Sequence, residues 1–144
     1  MVGRLARYLR LLGFDTEYLR VSDETLLVLQ ARKENRIILT RSNRLKDLSE
    51  VFFITTEQPE EQLQQVIARY GLRDKTKFFT RCLLCNKELV PVKKEVVAGK
   101  VPYFTYKNFS KFSQCPNCER IYWEGSHYEN MKKKIETIFA KREL

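Results

Sequence analysis

The sequence predicts an α/β fold in its first half, followed by a small cysteine-built ribbon and a C-terminal helix. Three observations carry this reading. Helix-like and strand-like stretches alternate up to about residue 75, the strand-like stretches are unbroken apolar runs, and all four cysteines come later, as Cys82-Leu-Leu-Cys85 and Cys115-Pro-Asn-Cys118. Alternation with continuously apolar strands is the pattern of a parallel sheet covered by helices on both faces. A boundary is therefore expected near Lys75 to Phe79, dividing an α/β domain of residues 1–77 from a ribbon with its helix at residues 78–144.

Gly3 to Leu12 reads as a helix because Leu5, Tyr8, Leu9 and Leu12 recur at three- and four-residue steps, and Gly13 supplies a left-handed stop. Arg4, Arg7 and Arg10 fall on the opposite face. A short extended segment, about Asp15 to Leu19, leads to Ser22, whose hydroxyl can cap a helix with Asp23 and Glu24 in its first turn, where the helix dipole favours anions. That helix runs to about Glu34. Arg36 to Thr40 and Val51 to Thr55 are buried-type strands, and Pro59 opens a helix whose Leu63, Val66, Ile67 and Tyr70 face the core until Gly71. The leading helix lacks the strand that a crossover unit places before it. The preferred expectation is a start upstream of Met1, with an additional strand, because losing a middle strand would strand unpaired backbone groups at two inner edges. Active sites in such folds gather at the carboxyl ends of strands. The loops of interest thus deliver Ser22, Asp23 and Glu24, then Arg41, Ser42 and Asn43.

Lys plus Arg number 27 against 18 Asp plus Glu, a formal charge of +9, and 43% of the residues are apolar, too many for a disordered tail. Residues 1–77 carry 14 basic and 11 acidic side chains, whereas residues 78–144 carry 13 and 7. The ribbon is the more cationic part. No apolar run reaches the roughly 18 residues of a membrane span, and the early apolar stretch is broken by Arg7 and Arg10, which argues against a secretory signal. A cytoplasmic protein without a membrane partner is expected.

The two Cys-x-x-Cys motifs are separated by 29 residues. Each brings two thiolates within reach of one ion, and together they make the four-sulfur tetrahedral site that suits structural Zn(II). Two disulfides, or a redox-active pair, are the weaker alternatives without a secretory signal and with four cysteines at matched spacing. The spacer holds strand material of its own, Leu89 to Val97 and Val101 to Tyr106 around a turn at Gly99. Glu119 stands where such a knuckle usually carries glycine for a positive φ, and Asn86 at the equivalent place tolerates that conformation better.

Ser126 and Glu129 form a capping box for the last helix, whose buried stripe is Met131, Ile135, Ile138 and Phe139. Lys132, Lys133, Lys134 and Lys141 are left to a solvated face, and His127, the sole histidine, to the surface at the helix start. Tyr103, Phe104, Tyr106, Phe109 and Phe112 put five rings in ten residues, interleaved with Lys107 and Lys111. Rings that stack bases beside cations that meet phosphates suit single-stranded nucleic acid. The competing reading has these rings, with Tyr122 and Trp123, cover the metal site.

Gly-Arg-Leu-Ala-Arg-Tyr-Leu-Arg-Leu-Leu-Gly-Phe-Asp from Gly3 to Asp15, Ile-Leu-Thr-Arg at Ile38 to Arg41, Phe-Thr-Arg-Cys-Leu-Leu-Cys at Phe79 to Cys85, and Cys-Pro-x-Cys-x-Arg-x-Tyr-Trp-x-Gly-Ser-His ending at His127 together span nearly the whole chain. These segments resemble the Mut-seven C-terminal RNase family. The resemblance implies a PIN-like three-layer α/β domain and a zinc ribbon, in a family regarded as ribonucleases or RNA-binding proteins. It also implies a carboxylate cluster around Mg(II) or Mn(II). Of the family's three acidic positions, one maps onto Asp23, with Glu24 beside it. Another falls upstream of Met1, and the third is Ser42, a poor ligand for a hard divalent ion.

The leading expectation is thus an RNA-binding protein related to metal-dependent ribonucleases, its own catalysis lowered by the incomplete acidic set. Arg4, Arg7, Arg10 and Arg41 are expected to flank the pocket at Asp23, with Lys107, Lys111 and the Lys132 cluster extending a phosphate track across the ribbon. An active Mg(II)- or Mn(II)-dependent endoribonuclease using Asp23 and Glu24, and a zinc-ribbon adapter that grips a protein partner, are the alternatives.

Overall fold

The computed structural model describes residues 2–20 and 22–142, with side chains as far as residue 140. Its elements are α1 (Gly3–Leu11), α2 (Glu24–Glu34), β1 (Ile38–Thr40), β2 (Val51–Phe53), α3 (Pro59–Tyr70), β3 (Val90–Val92), α4 (Tyr103–Asn108), β4 (Phe112–Gln114), β5 (Ile121–Tyr122) and α5 (Ser126–Arg142). They form a mixed α/β protein with two separate sheets. β1 and β2 pair in parallel, Ile38 opposite Val51, while β3, β4 and β5 make an antiparallel sheet in that order.

Local chemistry sets the helix ends. Asp23, rather than the neighbouring Ser22, caps α2: its carboxylate accepts the Thr25 N–H at 2.9 Å. Pro59 opens α3, and Gly71 closes it in the left-handed region at φ 60°. Gly13 follows α1 at φ 91°, and a Cβ there would lie 2.5 Å from the Lys77 carbonyl oxygen. This close approach is how the chain entering the ribbon crosses α1: the Lys77 N–H donates to the Leu12 carbonyl at 2.7 Å and the Phe79 N–H to Leu11 at 3.0 Å.

Ile38 packs with Val28 and Ala31 of α2, while Leu39, the next residue, packs against the cluster of α1 and α3, so the small parallel sheet has helices on both faces. Leu5, Leu11, Leu12, Ile54, Leu63, Ile67 and Ile135 are fully buried, and each contributes about 1.5–3 kcal/mol of burial. That cluster also takes in Leu83, Ile138 and Phe139. Helices α1 and α3, the first cysteine motif and α5 therefore share one core.

Three expectations change. The extended segment of Asp15 to Leu19 joins no sheet, and its Thr16 N–H donates to Asn86 Oδ1 at 2.9 Å. The parallel sheet accordingly has two strands among the described residues, and β1 borders a cavity of about 1120 Å³ that Leu5, Leu9, Leu27, Val66 and Tyr70 also line. In the ribbon, Val101 to Tyr106 is not a strand. Pro102, at φ −58°, starts α4 instead, and the Asn108 side chain donates back to the Phe104 carbonyl at 2.8 Å. Of Leu89 to Val97 only Val90–Val92 is strand, followed by a 3₁₀ turn at Lys94–Val97. The remaining strands are β4 and β5, which run directly into and out of the second cysteine motif.

Candidate metal centre and nucleic-acid face

Both cysteine motifs fold into the same knuckle. In the first, the Cys82 N–H donates to the Lys87 carbonyl at 2.8 Å and the Asn86 N–H to the Cys82 carbonyl at 2.9 Å; in the second, Cys115 donates to Arg120 at 3.0 Å and Glu119 to Cys115 at 2.9 Å. The Cys85 and Cys118 N–H groups point at the sulfurs of Cys82 and Cys115, each at 3.4 Å. Closing such a turn needs a left-handed residue, and Asn86 and Glu119 take φ values of 62° and 65°.

The four sulfurs lie within 4.8 Å of one another, so Cys82, Cys85, Cys115 and Cys118 are positioned to hold one metal ion. Sulfurs of Cys82 and Cys118 are 3.7 Å apart, and a tetrahedron with metal–sulfur bonds of about 2.3 Å spaces its thiolates by about 3.8 Å. Among the described residues this is the one group of three or more His, Cys, Asp or Glu side chains whose ligand atoms converge. All four thiols are free of disulfides.

The surroundings of the site prepare one sulfur for ionisation. Burial opposes charge on Cys82, yet the Tyr122 hydroxyl, 3.2 Å away, and the N–H groups of Cys85 and Leu84 bring its pKa down to about 7. Cys118 goes the other way. A backbone hydrogen bond at Arg120 favours its thiolate, but desolvation and the neighbouring sulfurs push it up to about 11. A cation among the four would remove that sulfur-against-sulfur penalty. Tyr122 also accepts the Leu83 N–H at 3.1 Å, which fixes its ring, and Asn117 Nδ2 donates to the Cys85 sulfur at 3.2 Å. Such outer partners orient metal ligands. The pairing of Tyr122 with Cys82, 40 residues apart, left no sequence signal beyond a polar aromatic near the second motif.

The first knuckle is bolted to the α/β part of the molecule. Buried Asn86 donates to Asp15 at 2.7 Å and Glu17 at 3.2 Å while accepting from Thr16. Burial raises the Asp15 carboxyl, but bonds from Asn86 and Arg36 outweigh this and hold it below its usual range. Arg10 corrects an expectation. It is buried, and its guanidinium donates to the carbonyls of Thr16 at 2.8 Å, Leu83 at 2.9 Å and Leu84 at 3.3 Å, so it fastens the knuckle to α1 instead of facing solvent.

Residues 1–135 match the family model described as Mut7-C RNAse domain. The chain belongs to that family. No curated protein and no solved structure matches it significantly. Membership in the Mut7-C family directs attention to the carboxylates at the carboxyl end of β1. There Glu24 lines the cavity with Thr40, Arg41 and Ser42, and pairs with Arg44 at 2.9 Å. Asp23 is exposed and holds the helix cap. One carboxylate oxygen of Asp23 is taken by the cap and one of Glu24 by Arg44, Ser42 is neutral, and among the described residues no group of three or more carboxylates converges there as Mg(II) or Mn(II) favours.

The remaining expected cations of this Mut7-C chain divide by surroundings. Arg4, Arg7, Lys107 and Lys111 are exposed. Arg41 is partly buried, 3.4 Å from Glu57, and its Nε has no hydrogen-bond partner among the described residues. In the last helix Lys134 pairs with Glu60 at 3.1 Å and Lys132 rests over the Phe78 ring, leaving Lys133 to the solvated face; the Lys141 side chain lies outside the described residues. His127 is exposed, as expected. No helix among the described residues is long and apolar enough to cross a membrane.

Proposed function

We propose that this protein binds RNA on a cationic surface formed by Arg4, Arg7 and Arg41 on the α/β part and by Lys107 and Lys111 on the ribbon, and that it does so without cleaving it. The observation that carries this reading is the combination of a ribonuclease-family match over residues 1–135 with acidic side chains already engaged, Asp23 as a cap and Glu24 with Arg44. Zn(II) held by Cys82, Cys85, Cys115 and Cys118 supplies folding energy and carries no reaction step. Four sulfur donors at this spacing favour that ion. The α/β part, residues 1–77, is the PIN-like layered unit and residues 78–144 the zinc ribbon; the helices on either side of β1 support the layering. Free thiols suit a reducing compartment, and we place the protein in the cytoplasm.

Titrating a fluorescent single-stranded RNA at several salt concentrations tests the proposal. Each phosphate contact contributes roughly 0.7 to the slope of log affinity against log salt, so Lys107→Ala with Lys111→Ala should flatten that slope by about 1.4. Wild-type affinity that is absent, or insensitive to salt, would overturn the reading.

A second reading, metal-dependent endoribonuclease, is favoured by the place of Glu24 at the carboxyl end of β1, in the wall of a large cavity. Incubating RNA with the protein and Mn(II) separates the two. Cleavage that Asp23→Asn or Glu24→Gln abolishes would establish the enzyme, whereas unchanged residual cleavage would mark a contaminant. An adapter role would instead show as a stoichiometric protein partner that co-purifies without nucleic acid.

A further inference from the structure

The five rings between Tyr103 and Phe112 are not equivalent. Phe112 is buried, with its centroid 6.3 Å from that of Trp123; Phe109 is half-buried, and the half-buried Tyr106 ring is covered by the Lys94 ammonium at 4.9 Å. Tyr103 and Phe104 are 79% and 69% exposed. They open α4, a helix whose buried side chain is Thr105. With 100° between successive residues, Tyr103, Phe104 and Lys107 share the face turned away from Thr105. This short helix is packed inside out, its threonine inward and two of its three rings in water.

Leaving two adjacent rings in solvent forgoes burial that the fold could use. Their setting indicates what covers them. Exposed Lys107 lies one turn after Tyr103 on the same helix, and between Cys85 and Cys115 the chain carries six lysines against two glutamates, a cationic segment that complements a polyanion. A flat ring beside a lysine matches a nucleotide, with its base against the ring and its phosphate against the ammonium. Base edges and faces within a duplex are stacked and closed to such contact, so a ring pair of this kind discriminates for unpaired strands.

Resting on the RNA-binding reading above, we propose that Tyr103 and Phe104 are stacking platforms for two unpaired bases and make the ribbon selective for single-stranded RNA. The test compares wild type, Tyr103→Ala with Phe104→Ala, and Tyr103→Trp with Phe104→Trp against one single-stranded RNA and a duplex of equal length. Stacking on one ring is worth roughly 5- to 150-fold in affinity. The double alanine variant should therefore lose at least about 25-fold for the single strand, while its duplex affinity and its salt slope stay within error of wild type. Because both rings are exposed, its melting temperature should not change. The tryptophan variant should bind the single strand as wild type does, and 2-aminopurine placed in the RNA should be quenched by wild type and not by the alanine variant.

If wild type binds single strands and the alanine variant binds them equally well, this proposal falls and the RNA-binding reading stands. Equal losses for single strand and duplex would also overturn it. A wild-type dimer that the alanine variant renders monomeric, with RNA affinity unchanged, would assign the rings to self-association. If wild type binds no RNA at any salt concentration, both readings fall together.

Discussion

The two cysteine knuckles share a backbone and a fully buried first cysteine, Cys82 or Cys115, and differ in what surrounds the residues that close them. Their hydrogen bonds agree to within 0.2 Å, at 2.8 and 2.9 Å in one and 3.0 and 2.9 Å in the other, and both close through a non-glycine residue at positive φ. The first, however, is embedded. Cys82 and Asn86 are buried, and Arg10, Asp15, Thr16 and Glu17 grip it from the α/β part. Cys118 and Glu119 of the second are exposed. Matching knuckle geometry therefore serves two ends: one knuckle ties the four-cysteine cluster to the α/β part, and the other closes the cluster with exposed Cys118 and Glu119. Substitutions at matched positions should consequently differ in size, and at one pair in sign.

The largest effect is expected at Arg10. Arg10→Met keeps the length of the stem and removes the guanidinium, leaving the carbonyl of buried Leu83 without its donor. Charge-assisted bonds and orphaned buried acceptors of this kind cost about 3 kcal/mol. Urea unfolding at fixed excess Zn(II) should show that loss as a lower midpoint with an unchanged slope, while the salt dependence of RNA binding stays as in wild type. A loss under 1 kcal/mol would mean that Arg10 does not anchor the knuckle, and a flatter salt slope would return it to the phosphate track.

Next in size is Asn86→Gly. Glycine suits the φ of 62°, but the change removes the bonds to Asp15, Glu17 and Thr16. Their loss outweighs the relief of backbone strain, and a net destabilisation of about 2 kcal/mol is expected in the same urea experiment. A neutral or stabilising result would reduce Asn86 to a turn residue and remove the distinction between the knuckles.

Both positive-φ sites were legible in the sequence as fourth residues after the first cysteine of each motif, and so were the ends of α3, because Pro59 and Gly71 act through covalent geometry alone. The cysteine pairs were legible for a similar reason, since two-residue spacing brings the paired sulfurs together whatever the rest of the chain does. What was hidden depends on distance along the chain. Two of the three partners of Arg10, the carbonyls of Leu83 and Leu84, are 73 and 74 residues away. The extended Asp15 to Leu19 segment bonds through Thr16 to Asn86, 70 residues further on. The Val101–Tyr106 error was local: the apolar run outweighed Pro102, whose fixed φ starts a helix there. Ser22 and Asp23 are adjacent and both able to cap, and periodicity does not separate them. Asp23 took the cap, through one of its two carboxylate oxygens.

Glu119→Gly carries the comparison to its smallest and most discriminating effect. At φ 65° a side chain pays a steric penalty that glycine avoids, and among the described residues the exposed Glu119 side chain has no partner to offset it, the nearby Gln114 amide bonding to the residue's backbone carbonyl at 3.0 Å. Left-handed conformations cost about 1–2 kcal/mol for residues with a Cβ, part of which glycine returns through its freer unfolded chain. The variant should be more stable than wild type by about 1 kcal/mol. The same residue type placed at the same φ would then destabilise one knuckle and stabilise the other, which only the contacts outside the metal site can explain. Equal signs for Asn86→Gly and Glu119→Gly would show instead that backbone strain governs both, and that the grip of Asp15, Thr16 and Glu17 on the first knuckle contributes little.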